Sequence, residues 1–253
     1  MTSDTLTRDH STTERSGLSL GYVVSDFHMF AKWSSADSYI ADVRAAAADA
    51  DFFVFNGDIF DFKWSTLESS EATTRAAIEW FRQLSSDFPC CHFFYVLGNH
   101  DCHVGLIDPL NDLADELDNF SWHNSYCRIA TSLFMHGDLI FKAQSGTPFE
   151  RTRLTTGEPR RSLLGTIYHI VISMGAHDLT SLMYSKEKCA KQLLKVLKRK
   201  EYSEMEGVED IYIGHTHAPF SDFKYCGFTF HNSGSAVHDL HCNMMQVGSK
   251  EEL

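Results

Sequence analysis

Short apolar blocks alternate along this chain with longer segments of helical spacing. Leu18 to Ser25 is rich in Leu, Val and Tyr and predicts a buried strand. Ala36 to Ala50 is Ala-rich and predicts a helix. Asp51 to Phe55 predicts a second strand, and Ile78, Phe81 and Leu84 mark one face of a helix over Glu71 to Leu84. His92 to Leu97 predicts a third strand. Gly105 to Leu117 reads as a helix, with Pro109 as a candidate for its true start. Tyr126 to Met135 predicts one or two short strands. Ile211 to Ile213 predicts another, and Phe220 to Phe230 a hairpin around Cys226-Gly227. Strand and helix in alternation predict an α/β fold with parallel pairing.

Phe141 to Val208 breaks that rhythm. A polar stretch with Arg151, Arg153, Arg160 and Arg161 leads into an apolar run from Leu163 to Met174, then a basic helix from Lys186 to Lys200. We read about 142–208 as a mostly helical insertion in a domain spanning 18–247, with a disordered tail at 1–17 and a frayed end at 248–253. The apolar run either packs on the core or opens a cleft for acyl chains. The basic helix is either a solvated face or a contact with a membrane surface. The arginines, if they touch substrate, could grip phosphate through paired hydrogen bonds.

Composition narrows the function. The net charge of −12 argues against general binding to nucleic-acid backbones. It leaves room for a small anionic substrate, because bound metal reverses the local potential. Seven cysteines in no repeated spacing suggest reduced thiols and a cytoplasmic protein. The first 17 residues lack the apolar core of a secretory signal, and no run reaches the roughly 18 apolar residues of a membrane span.

Metal-ligand side chains recur where the strands end. Asp26-Phe27-His28 follows the first strand, and Asn56-Gly57-Asp58, with Asp61 close behind, follows the second. Gly98-Asn99-His100-Asp101 follows the third. Later strands end in His136-Gly137-Asp138 and Gly214-His215-Thr216-His217. Ligands of open α/β sheets gather beyond the carboxyl ends of the strands, so five such clusters can meet. Mixed carboxylate, amide and imidazole sets can hold two ions about 3.5–4 Å apart, which activate a shared water and clamp a phosphoryl group. Each motif alone has a bland reading as a turn or a chance pair. The ordered set does not.

That set resembles the signature of the calcineurin-like metallophosphoesterase superfamily: Asp-x-His, Gly-Asp-x-x-Asp, Gly-Asn-His-Asp, a lone His and Gly-His-x-His. The resemblance implies a four-layer αββα sandwich of two mixed β-sheets flanked by helices. It implies a phosphodiester or pyrophosphate hydrolase with two divalent ions, Mn first, with Fe, Zn, Co and Ni as alternatives. One ion would take Asp26, His28, Asp58 and His217. The other would take Asp58, Asn99, His136 and His215. His100 would act on the substrate, Asp101 would orient His100, and Asp61 would support its loop. Asn232-Ser233-Gly234-Ser235 resembles a late element of the same family. His136-Gly137-Asp138 and the insertion look like the UDP-2,3-diacylglucosamine pyrophosphohydrolase branch, which acts on a lipid-linked nucleotide sugar. Two features depart from that branch: His100 stands where many of its members carry Arg, and Leu-Ile-Phe-Lys after Asp138 replaces an expected acidic pair. Runner-up substrates are nucleotide phosphodiesters and phosphomonoesters, phosphoproteins included. The non-enzymatic alternative is a scaffold on the same fold.

Overall fold

The computed structural model describes residues 19–138, 153–159, 185–197, 205–238 and 240–248. The expected tail, most of the insertion and the last five residues lie outside them.

The first sheet holds β1 (Leu20–Val24), β2 (Phe52–Asn56), β3 (His92–Val96), β4 (Phe120–His123) and β10 (Met245–Gly248), in the order β10-β1-β2-β3-β4. Only β10 runs antiparallel to its neighbour. The second sheet, in the order β5-β6-β7-β9-β8, holds β5 (Tyr126–Ile129), β6 (Ser132–Met135), β7 (Asp210–Ile213), β8 (Phe220–Tyr225) and β9 (Phe228–Asn232). Its central strands β6, β7 and β9 are parallel, and both edges are antiparallel.

Alternation along the strands explains the layering. Phe53 and Phe55 of β2 join Phe93 and Tyr95 of β3 in a core under helices α1 (Ile40–Asp49), α2 (Ser70–Asp87) and α3 (Val104–Glu116). Phe52 and Val54, with Phe94 and Val96, face the other way and meet Phe134 and Tyr212 between the sheets. Period-two side chains put successive residues on opposite faces. Both faces are covered here, so these strands read as unbroken apolar runs. On the far side of the second sheet, Cys189, Leu193, Leu194 and Leu197 of α4 (Lys186–Leu197) pack on Leu133, Ile211 and Phe230. The fold is a four-layer αββα sandwich of two mixed sheets flanked by helices.

Some boundaries differ from the sequence reading. Pro109 lies inside α3 rather than starting it. It sits just past the first turn, whose N–H groups have no helical partner anyway, so it removes a single bond. α4 belongs to the sandwich itself. Its leucines are buried, while Lys188, Lys191 and Lys195 are exposed, as in a solvated face. Gly248 pairs with Leu20 in β10. All seven thiols are free. Among the described residues, no helix is long and apolar enough to cross a membrane.

Arg153 corrects a second expectation. It is 1% exposed and cannot reach a substrate. Its guanidinium forks onto Asp138, with Nε 3.1 Å from Oδ2 and Nη2 3.0 Å from Oδ1. It also donates to the carbonyls of Leu97 and Asn124. The next residues continue the dock: Thr155 N–H donates to the Cys102 carbonyl, and Ser70 N–H donates to the Glu158 carboxylate. The other three arginines of that group lie outside the described residues.

Removing Arg153 strands a buried carboxylate. Arg153→Met is expected to cost about 3–5 kcal/mol, measured as a lower urea midpoint at unchanged slope. A substrate-binding role would raise KM at unchanged stability instead.

Candidate metal centre

β1, β2 and β3 run parallel, as do β6 and β7, so the loops that leave them emerge at one end of the sandwich. Asn56 ties the two sheets there, its amide donating to the carbonyls of Met135 and Tyr212 at 3.1 Å each. These loops fold back sharply. Asp26, His28, Asp58, His215 and His217 all have φ between 48° and 66°, in a left-handed region that costs non-glycine residues about 1–2 kcal/mol each. So many outliers among the predicted ligands mark a functional site.

Three glycines make room. A methyl group at Gly98 would lie 2.1 Å from Asp58 Oδ1, one at Gly214 would lie 2.3 Å from Asp26 Oδ2, and one at Gly57 would strike the His136 ring at 2.5 Å. Backbone and carboxylate therefore meet at closer range than any side chain allows.

Side-chain atoms converge in two groups. In the first, Asp26, His28 and His217 bring their ligand atoms within 4.8 Å of one another. His28 Nε2 is 3.4 Å from His217 Nε2, and His217 Nε2 is 3.3 Å from Asp26 Oδ1. In the second, Asp58, His136 and His215 do the same. Asp58 joins the two: its Oδ2 is 3.0 Å from His136 Nε2 and 3.9 Å from His28 Nε2. Its Oδ1 accepts from the His100 N–H at 2.7 Å.

The remaining hydrogen bonds aim these ligands. His136 Nδ1 donates to the Asn56 carbonyl at 3.2 Å, which turns the buried Nε2 toward Asp58 Oδ2. His28 Nδ1 donates to Asp61 Oδ2 at 3.1 Å, which turns Nε2 toward His217 and Asp26. Both Asp26 oxygens accept from the His215 N–H. Asn99 Oδ1 is buried with no hydrogen-bond partner. An orphaned amide oxygen, converging carboxylates and inward-turned imidazole nitrogens suit two divalent cations.

Asp101 does not orient His100. One of its oxygens accepts from Gly98 N–H and the other from Ile59 N–H at 2.8 Å, so it clamps two ligand loops together. Burial and the Asp58 charge push it up to about 7. His100 Nδ1 is instead 3.1 Å from Asp61 Oδ2, the oxygen that also receives His28. The other Asp61 oxygen accepts from Trp64 N–H at 2.8 Å, so this residue supports its loop and aims two imidazoles at once. The third ligand-like group, His28, Asp61 and His100, is therefore a hydrogen-bonded bracket. Adjacency in Gly-Asn-His-Asp favoured Asp101, and sequence carries no sign of side-chain direction.

The Asn232 segment supports the ligand loops from the second sheet. Asn232 Nδ2 donates to the Gly214 carbonyl and Thr216 hydroxyl, and Ser235 Oγ donates to the Asp26 carbonyl. Ser233 and Ser25 share a hydroxyl bond at 2.7 Å. These polar groups brace the ligand loops from below.

Charge follows geometry. Burial works against ionisation of Asp58, but the imidazoles of His136, His100 and His28 hold its carboxyl well below the usual range. Burial lowers His136, and Asp58 and Asp26 outweigh it, pushing the imidazole up to about 10. His100 is pushed up to about 9, where Asp61 and Asp58 overcome its burial. Burial and the His136 cation hold His215 down to about 4.

The calcineurin-like phosphoesterase family model matches residues 22–219. The chain belongs to the calcineurin-like phosphoesterase family. This phosphoesterase is a metal-dependent phosphoester hydrolase, and its Asp and His groups suit a dimetal site. A solved dimetal phosphatase from Danio rerio is similar over 87% of this chain and 88% of its own, at 12% identity and a TM-score of 0.40. No curated protein matches.

Two outcomes test the centre. Gly98→Ala is expected to displace Asp58 and abolish metal binding, read by metal analysis of the purified, folded variant. His136 is protonated at neutral pH in the metal-free phosphoesterase, and a ligating imidazole must be neutral. Metal uptake should therefore release protons, and apparent affinity should rise by about tenfold per pH unit per proton displaced, from neutral pH toward 10. Proton release in weakly buffered titrations checks this. Uptake without proton release would contradict it.

Proposed function

We propose that this phosphoesterase hydrolyses a phosphodiester or pyrophosphate bond in a nucleotide-bearing small molecule. The observation that carries the reading is the pair of ligand groups joined through Asp58, with His100 at their rim. Asp26, His28, Asp58 and His217 would hold one divalent cation. Asp58, Asn99, His136 and His215 would hold the other, with manganese as the leading candidate. When bound, such a pair supplies a water of lowered pKa and positive charge against the phosphoryl oxygens.

The protein's own groups do the rest. Buried hydrogen bonds fix the imidazoles of His28, His100 and His136, so little reorganisation is needed during reaction. The side chain of His100 is 15% exposed, enough for a substrate to reach it. Its Nδ1–H is held by Asp61, whose carboxylate raises the proton affinity of the ring in the metal-free protein. A cationic imidazole there can steady a phosphoryl oxygen and hand a proton to the departing one. Asp61 positions His100, and Asp101 and Arg153 hold the loops that carry the ligands.

Within this class, a lipid-linked nucleotide sugar of the UDP-diacylglucosamine type is the specific substrate to try first. The His136-Gly137-Asp138 element and the long segment before α4 support it. A panel of UDP-diacylglucosamine, cyclic nucleotides, dinucleoside polyphosphates and an aryl phosphate ranks the substrates by kcat/KM. A preference for the monoester over every diester and pyrophosphate would sink this reading.

Two substitutions separate the roles. Asp58→Ala should lose both ions and nearly all turnover. His100→Ala should keep both ions while kcat falls by about 10²–10⁴-fold. Full activity in His100→Ala would show that another group carries the proton.

A further inference from the structure

The loops after β1 and β2 each carry a Lys-Trp pair, Lys32-Trp33 and Lys63-Trp64. Resting on the hydrolase reading above, we propose that Trp33, Lys63 and Trp64 form a subsite for the nucleobase and adjoining phosphate of the substrate.

The two loops are stitched into one platform. Met29 bridges Phe60 in parallel, and Ala31 bridges Ser65 in antiparallel fashion. Thr66 N–H donates to the Phe30 carbonyl at 2.8 Å, and His238 N–H donates to the Trp33 carbonyl at 2.9 Å. The same loops carry His28 and Asp61, so the tryptophans are fixed relative to the metal ligands.

The two indoles meet edge to face, with centroids 5.9 Å apart at 61°. Both are half-buried. The chain has four tryptophans, and they divide evenly. Trp80 and Trp122 pack in the core beneath the helices, whereas Trp33 and Trp64 belong to none of the three buried clusters.

Lys63 links this pair to the chemistry. Its side chain is exposed and its ammonium lies 5.5 Å over the Trp64 ring. The neighbouring Phe62 N–H donates to the His100 carbonyl at 3.1 Å. A cation therefore sits on the aromatic pair, one residue along the chain from a backbone bond to the group that acts on the departing oxygen. A nucleotide joins a phosphate to a flat base through one sugar, which matches a fixed cation beside a fixed indole. Stacking on tryptophan accepts any base, because every base has a π face. A cation-aromatic pair in a protein of net charge −12 also gives an anionic ligand a local point of attachment.

The test is a titration of AMP and of ribose 5-phosphate into the manganese-loaded full chain. Tryptophan emission is followed directly, and inhibition of aryl phosphodiester hydrolysis in parallel. AMP is expected to quench the emission and to bind about tenfold or more tightly than ribose 5-phosphate. In Trp33→Leu and Trp64→Leu that advantage should shrink to about twofold or less, whereas Lys63→Met should weaken both ligands alike. Melting temperatures show which variants are folded. Should a tryptophan variant unfold, Lys63→Met, an exposed position, and the wild-type quench still decide. Equal binding of the two ligands to the wild type overturns the subsite, and so does an AMP advantage that survives both tryptophan variants. Absence of aryl phosphodiester hydrolysis with every divalent metal would count against the hydrolase reading instead, and the emission titration reads the subsite independently of it.

Discussion

Three carboxylates, Asp26, Asp58 and Asp61, lie at most 1% exposed at one end of the sandwich, and the rest of the structure answers to their charge. Burying an ionised carboxylate costs several kcal/mol unless hydrogen bonds or cations offset it. Each of these accepts a backbone N–H from a ligand loop or its neighbour: His215 on Asp26, His100 on Asp58, Trp64 on Asp61. His215 reaches Asp26 from a left-handed conformation, and the acceptors Asp26 and Asp58 are themselves left-handed. The backbone strain and the buried charge are two sides of one arrangement, in which hydrogen bonds to carboxylates hold residues where they would not otherwise sit.

The same constraint explains what could be read from sequence. β1, β2 and β3 are buried on both faces, so they stand out as apolar runs, and ligand motifs follow them in chain order. The fold class and the gathering of motifs were legible for that reason. β4 and β10 were not foreseen. β4 mixes Phe and Trp with Ser and His, and β10 is a four-residue edge strand in a polar stretch. Periodicity has little to grip in either. Arg153 was misplaced because an arginine bound to a buried Asp and an arginine in solvent look alike in a polar stretch. What separates them is a pairing with Asp138, fifteen residues away.

Asp61 and Asp101 show the limit most clearly. Both follow a glycine-bearing motif by a few positions, and both are buried. Chain adjacency pairs Asp101 with His100, yet its oxygens turn to two backbone N–H groups, and Asp61 reaches His100 from another loop. Direction is decided by which N–H groups the folded loops present, a long-range property. The same holds for Asn232 and Ser235, whose part under Asp26 and Gly214 depends on the second sheet meeting the first.

Rigidity at the ligands also bears on where specificity can reside. A site in which His28, His100 and His136 are fixed by hydrogen bonds, and Gly57, Gly98 and Gly214 leave no space for a methyl group, has little freedom to adapt to different substrates. The proposed subsite places one source of choice among phosphoesters on the outer parts of the same loops. The bridges between the β1 and β2 loops let those outer parts inherit the position of the ligands without touching them. Side chains there can change the substrate while His28, Asp58 and Asp61 stay in place. A centre built this tightly separates reaction type, set by the buried carboxylates, from substrate choice, which the proposed subsite would place a few residues further along the same two loops.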